Sequence, residues 1–194
     1  MPNWNTTDVR VNGPADQISK LYDIMYSLEY GEKELLENGF GNTWYGCLVH
    51  ALGEDWNQYY CRGSWDSVNK ENDNLLSWFD ETAWGPMTEV FNLIEEKFPD
   101  VKVYWIAEEP GMGYYVSNDV NHKYFNTRFI LCFDDCERIE YFESEQEMLD
   151  FINQYLNGKP DLKPDKPISS LEELDAFVEN CEDMYYSPFT YKEI

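Results

Sequence analysis

Residues Trp78 to Gly113, WFDETAWGPMTEVFNLIEEKFPDVKVYWIAEEPGMG, read as one strand–helix–strand unit. Leu75, Leu76, Trp78 and Phe79 form an apolar run of strand length that ends at Asp80 and Glu81. Gly85 and Pro86 then punctuate the chain, and Pro86 suits the first position of a helix, where no backbone N–H is needed. Met87, Val90, Phe91, Ile94 and Phe98 recur at i, i+3, i+4, i+7 and i+11, a single helical stripe that has to face something apolar. Pro99 and Asp100 stop the helix. Val101, Val103, Trp105 and Ala107 next alternate with Lys102, Tyr104, Ile106 and Glu108, the period of a strand with one buried and one more exposed face.

The start of the chain supplies the other half of a sheet. Thr6 to Val11 alternates as a strand, and Gly13-Pro14 opens a helix with the stripe Ile18, Leu21, Tyr22, Met25 and Leu28. Tyr59 to Val68 reads as a second strand, turned by Asn72-Asp73-Asn74 into the Leu75 strand. The order is β-α-β-β-α-β, an α+β, ferredoxin-like sheet with helices on one face. Further strands are expected at Tyr114 to Val116, Phe125 to Phe133 and Arg138 to Phe142, extending that sheet. Ser144 with Glu147, and Ser169 with Glu172, have capping-box spacing and open two C-terminal helices. This organisation puts a ferredoxin-like domain at 1–156 with an insertion at 30–56, a proline-rich extended connector at 157–168, and a C-terminal helix with an aromatic and acidic tail at 169–194.

Several motifs in the first 115 residues resemble the YubB-like proteins of plasmids and phages, a family with a ferredoxin-like domain. They are MPNW at Met1 to Trp4, RGSWD at Arg62 to Asp66, TAWGP at Thr82 to Pro86, KFPDV at Lys97 to Val101 and EEPGMG at Glu108 to Gly113, together with the early strand ending at Gly13. The resemblance implies a mobile-element origin and a ferredoxin-like fold without an iron–sulfur cluster. It implies no catalytic residue. The RGSWD segment is shorter than the family's Gly- and Trp-rich stretch, and the acidic C-terminal third is particular to this chain.

The 194 residues carry 38 acidic against 14 basic side chains, a formal net charge of −24. Such a field disfavours direct contact with nucleic-acid phosphates and attracts basic protein surfaces. Asp134, Asp135, Glu137, Glu140, Glu143, Glu145, Glu147 and Asp150 fall in one run broken only by Arg138, the candidate acidic face for a basic, nucleic-acid-binding host protein. A chain of this mass exposes roughly 9,600 Å², about one net charge per 400 Å², whereas duplex DNA carries one per ~1.7 Å of axis. Mimicry of DNA therefore requires the acids to share a face; otherwise they form an ordinary solvated surface. Phe, Trp and Tyr number 33, more than a core of this size encloses. Trp44, Tyr45 and Trp56 of the insertion and Tyr185, Tyr186 and Phe189 of the tail are the candidate contact aromatics, of a kind enriched at interfaces. The expectation is a non-enzymatic, cytoplasmic protein of a phage or plasmid that binds a host defence or nucleic-acid-handling protein, of anti-restriction or anti-CRISPR type. The alternative is a small-molecule or nucleotide site on the open sheet face, walled by Trp78, Tyr104 and Trp105.

Other chemistry is weakly represented. Five irregularly spaced cysteines, Cys47, Cys61, Cys132, Cys136 and Cys181, suit a reducing compartment. Cys47 and His50 lack the second ligand pair of a zinc site, and Asp134-Asp135 with Glu137 lacks the glycine and periodic oxygens of a calcium loop, so no metal or cofactor is expected. His50 and His122 sit in no nucleophile motif. EEPGMG lacks the third glycine of a dinucleotide fingerprint and reads as a turn in which Gly111 and Gly113 permit positive φ. No apolar stretch approaches a membrane span.

Overall fold

The computed structural model describes residues 3–33, 35–133, 138–183 and 188–194 and shows a mixed α+β chain that divides into two compact units, 1–124 and 125–194. In the first unit, β1 (Trp4–Asn12) is the centre of a six-stranded sheet, antiparallel to β4 (Leu75–Ala83) on one side and to β5 (Lys102–Glu109) on the other. Strand periodicity sends Asn5, Thr7, Val9 and Val11 to one face, where all four are buried. Three helices close that face: α1 (Ala15–Glu29), α2 (Tyr45–Ala51) and α3 (Thr88–Lys97). Ile18, Leu21 and Met25 of α1, Leu48 and Val49 of α2, and Val90, Phe91 and Ile94 of α3 join Val9, Val11, Leu76 and Trp78 in a single core.

The sheet departs from the expected plan in two ways. The second strand is split, because β2 (Gly63–Trp65) pairs with the C-terminal part of β4 and β3 (Asn69–Asn72) with its start, so the anticipated Tyr59 to Val68 strand is short and Asn72 belongs to β3. The strand expected at Tyr114 to Val116 does extend this sheet, as β6 (Tyr114–Ser117) outside β5, giving the path β2-β4-β1-β5-β6. Finally, the 30–56 insertion contributes α2 to the core itself, with Tyr45, Cys47, Leu48 and Val49 all buried. EEPGMG is a 3₁₀ turn joining β5 to β6, and Gly113 takes the left-handed conformation there (φ 62°), whereas Gly111 does not.

The C-terminal strands build a second sheet instead of extending the first. Its order is β8 (Ile139–Phe142), β7 (Phe129–Phe133) and β9 (Phe189–Glu193), all antiparallel. α4 (Glu145–Asn157) and α5 (Leu171–Asp183) supply Met148, Ile152 and Leu174 to a core shared with Leu131, Phe133, Phe142 and Phe189. Ser144 caps α4, accepting from the Glu147 N–H at 3.3 Å. The α5 cap falls one residue later than its spacing predicts: Ser170 accepts from the Glu173 N–H at 3.3 Å. The Glu173 carboxylate accepts from Lys166 and from Ser169, which brings its carboxyl down to about 2. Residues 157–168 do not run as an extended spacer. They contain a 3₁₀ turn at Pro160–Leu162, and buried Ile168 is clamped through its N–H and carbonyl by the Asn153 amide at 2.9 and 2.8 Å.

Candidate functional site

Where β4 passes between β1 and β2, the face of the sheet turned away from the helices carries a groove of about 720 Å³. Phe79 forms part of its floor and is 46% exposed. Trp4 at the start of β1 and Phe40 from the loop before α2 stand at its sides, 55% and 70% exposed, and the edge of Trp44 closes it. The Phe40 and Trp44 rings lie 5.9 Å apart. Exposed aromatic surface of this size in one place is what interfaces and ligand grooves use, since isolated burial would otherwise remove it from water.

The polar part of the lining comes from two places. Arg62, Ser64 and Asp66 belong to the RGSWD segment on and beside β2, and Glu81 projects from β4 two residues beyond Phe79. The register puts Ser64 opposite Glu81, and Glu81 opposite Thr6; in the next row Phe79 lies opposite Asp8. Arg62, Asp66 and Glu81 form no ion pair among the described residues, whereas Arg10 pairs with Asp8 in a smaller polar cleft of about 280 Å³ that shares Asp66 and Phe79 with the groove. Gly63 makes the geometry possible. A Cβ there would lie 2.4 Å from Thr82 Cγ2 and 2.7 Å from the Glu81 carbonyl oxygen, so any side chain would push β2 off β4. The Trp44 indole N–H donates to the Cys61 carbonyl, and the Trp65 N–H to the Thr43 carbonyl at 3.2 Å, tying the loop before α2 to this edge of the sheet.

Beneath the groove, on the helix face, lies a buried polar chain. The Trp78 indole N–H donates to Tyr45 Oη at 2.9 Å, and the Tyr45 hydroxyl donates to Asp80 Oδ2 at 2.5 Å. Asp80 is fully buried, and its Oδ1 has no hydrogen-bond partner among the described residues. Burial pushes the Asp80 carboxyl up to about 7 against the lowering effect of the Tyr45 hydroxyl that donates to it, and burial with the Asp80 charge drives the Tyr45 hydroxyl well above its ordinary value. Asn5 makes a separate pair of buried bonds, donating to Thr7 Oγ1 and Thr82 Oγ1 at 2.9 and 3.2 Å.

The residues anticipated from sequence are dispersed. Tyr45 and Phe189 are core residues, not contact aromatics: Tyr45 is locked to Asp80, and Phe189 packs its ring 6.2 Å from Phe133 and Tyr155 because β9 completes the second sheet. Trp56 is half-buried with its ring 5.0 Å from that of Trp44, so only Trp44 reaches the groove. Trp78 and Trp105 both lie opposite Val9 and so share the helix face, while Tyr104, opposite Arg10, is on the other face, with its ring 4.9 Å from Tyr124. These three therefore do not wall one site; Phe79, next to Trp78, is the aromatic that faces outward. Among the acids, Glu140 pairs with Arg138 at 2.9 Å, Glu145 accepts from the Leu171 N–H, Glu147 accepts from the Glu143 N–H, and Asp150 accepts from Gln146. Glu143, Glu147 and Asp150 are exposed. Asp134, Asp135, Glu137, Tyr185 and Tyr186 lie outside the described residues.

Among the described residues no group of three or more His, Cys, Asp or Glu is arranged to hold a metal ion, and no helix is long and apolar enough to cross a membrane. Cys61 and Cys181 are buried free thiols, and burial pushes the Cys61 thiol up to about 11. Comparison with known proteins returns nothing that matches the chain, neither a family model nor a curated protein nor a solved structure.

Proposed function

We propose that this chain is a stoichiometric binding protein of a phage or plasmid that occupies a basic surface of a host nucleic-acid-handling or defence protein, in the manner of an anti-restriction or anti-CRISPR factor. The observation that carries the reading is the gathering of Trp4, Phe40 and Phe79, three exposed aromatics, around one groove on a chain of net charge −24. Aromatic anchors give contact energy, and the acidic field raises the rate of encounter with a basic partner and biases its choice. The acids support it further: residues 125–194 hold 17 acidic against 6 basic side chains, a net −11 in little more than a third of the chain. In the same reading the first unit is a ferredoxin-like sheet of YubB-like type with an interrupted second strand. The placement of β1 between β4 and β5, with β2 and β3 together on the far side of β4, supports it.

The test uses the tagged protein as bait in bacterial lysate, beside a variant reversed in charge at Glu140, Glu143 and Glu147. The reading expects a DNA- or RNA-processing protein that the wild type retains at low salt, that salt releases, and that the variant retains poorly. Equal retention by both baits at all salt concentrations would overturn it. The groove volume of about 720 Å³ falls within the range of small-ligand sites and favours a second reading, a small-molecule or nucleotide-binding module. That reading expects a ligand-dependent rise in melting temperature across a nucleotide and metabolite panel.

A further inference from the structure

We infer that the open-face groove is a cation site that receives an arginine or lysine side chain of the bound protein. The inference deepens the proposed function and rests on it for the identity of the partner. An aromatic ring face attracts an organic cation within about 6 Å of its centroid, and more strongly when water is partly excluded. Phe79 and Glu81 are two residues apart on one strand and so point to the same face, about 7 Å apart along it. A cation seated over the Phe79 ring is therefore within reach of the Glu81 carboxylate, and Asp66, whose backbone N–H donates to the Phe79 carbonyl at 2.8 Å, belongs to the same lining. Neither carboxylate has an ion pair among the described residues. Among the described residues Arg62 is the one basic side chain in the lining, so the two carboxylates give that lining a net negative charge, which favours a cation over an anion. Trp4 and Phe40 flank the same space with exposed rings, which favours the flat guanidinium or the alkyl stem of lysine over a hydrated inorganic ion.

The experiment titrates the full chain with N-acetyl-arginine amide, N-acetyl-lysine amide and, as the anionic control, methyl phosphate, following tryptophan indole N–H resonances. The two cationic probes are expected to shift the Trp4 and Trp44 signals saturably. Glu81→Gln and Phe79→Ala are expected to weaken binding about fivefold to tenfold, and Glu81→Gln, at an exposed position, to do so without moving the melting temperature. Absence of any shift with the cations, an equal or greater shift with methyl phosphate, or binding unaltered in both variants would each overturn the inference. Failure here is distinguishable from failure of the proposed function. A basic partner captured from lysate equally by wild type and Phe79→Ala, but lost on charge reversal, retains the function and rejects the groove; cation binding with no basic partner captured does the reverse.

Discussion

Asp80 is the residue at which sequence pattern and structure diverge most. It follows an apolar run and reads as the charged end of a strand, yet it is buried at the middle of β4 and held by the Tyr45 hydroxyl. The missing signal was its partner: Tyr45 sits 35 residues upstream in the 30–56 insertion, and only the packing of α2 over β4 brings the two together. A consequence for stability follows. Between pH about 4, where the unfolded carboxyl ionises, and about 7, the folded chain keeps a proton that the unfolded chain has released, so stability falls as pH rises through that window. The slope is up to about 1.4 kcal/mol per pH unit from this group. Asp80→Asn is expected to flatten the part of the pH 4 to 7 stability curve that wild type shows in excess of general carboxylate repulsion, which both proteins share. Urea unfolding of the two proteins at pH 5 and pH 8 measures it. An identical pH dependence in both would show that Asp80 does not hold its proton.

At the scale of elements, helices and their caps were legible where the local signal was strong. The Met87 to Phe98 stripe is α3, and Ser144 with Glu147 is a working cap, so Ser144→Ala is expected to lower stability by about 1 kcal/mol in denaturant unfolding. Ser169 with Glu172 matched the pattern by spacing, but Ser170 with Glu173 makes the bonds, because adjacent serines and glutamates offer two registers and the strap from Lys166 to Glu173 selects the second. Strand faces were harder to read. In Leu75 to Ala83 the run of apolar residues conceals the alternation, and Phe79, not Trp78, is the outward aromatic. RGSWD was informative only as a motif; its physical content is the close approach of β2 to β4 at Gly63. Gly63→Ala is expected to cost about 1 to 3 kcal/mol by overpacking and to disturb the indole resonances of Trp4 and Trp44 that report on the groove. A variant as stable as wild type with unchanged resonances would mean that β2 can move off β4 without consequence.

For the whole molecule, charge was readable from composition alone, whereas its use depends on placement. Most described acids of the 140–150 run cap helices or pair locally, and Glu143, Glu147 and Asp150 remain exposed. Phe189 shows the opposite limit of composition: an aromatic in a short acidic tail reads as surface, but β9 turns it into the centre of the second core. The aromatic excess was real, and it emerged at Trp4, Phe40 and Phe79, which no sequence period groups, since β1, a loop and β4 meet there only in three dimensions. Binding to a basic partner is expected to weaken steadily with rising ionic strength, as screening shortens the reach of a −24 field. Surface-immobilised protein measured against the captured partner over a salt series checks this through the association rate; a rate indifferent to salt would assign recognition to the aromatics alone.

The most direct measurement is a paired capture from bacterial lysate with wild-type protein and the Trp4→Ala/Phe79→Ala double variant as baits, each washed at low and high salt, with retained proteins identified by mass spectrometry. The account predicts a basic nucleic-acid-processing protein that the wild type holds at low salt and that both the variant and high salt lose. The same proteins retained by both baits at both salt concentrations would contradict it.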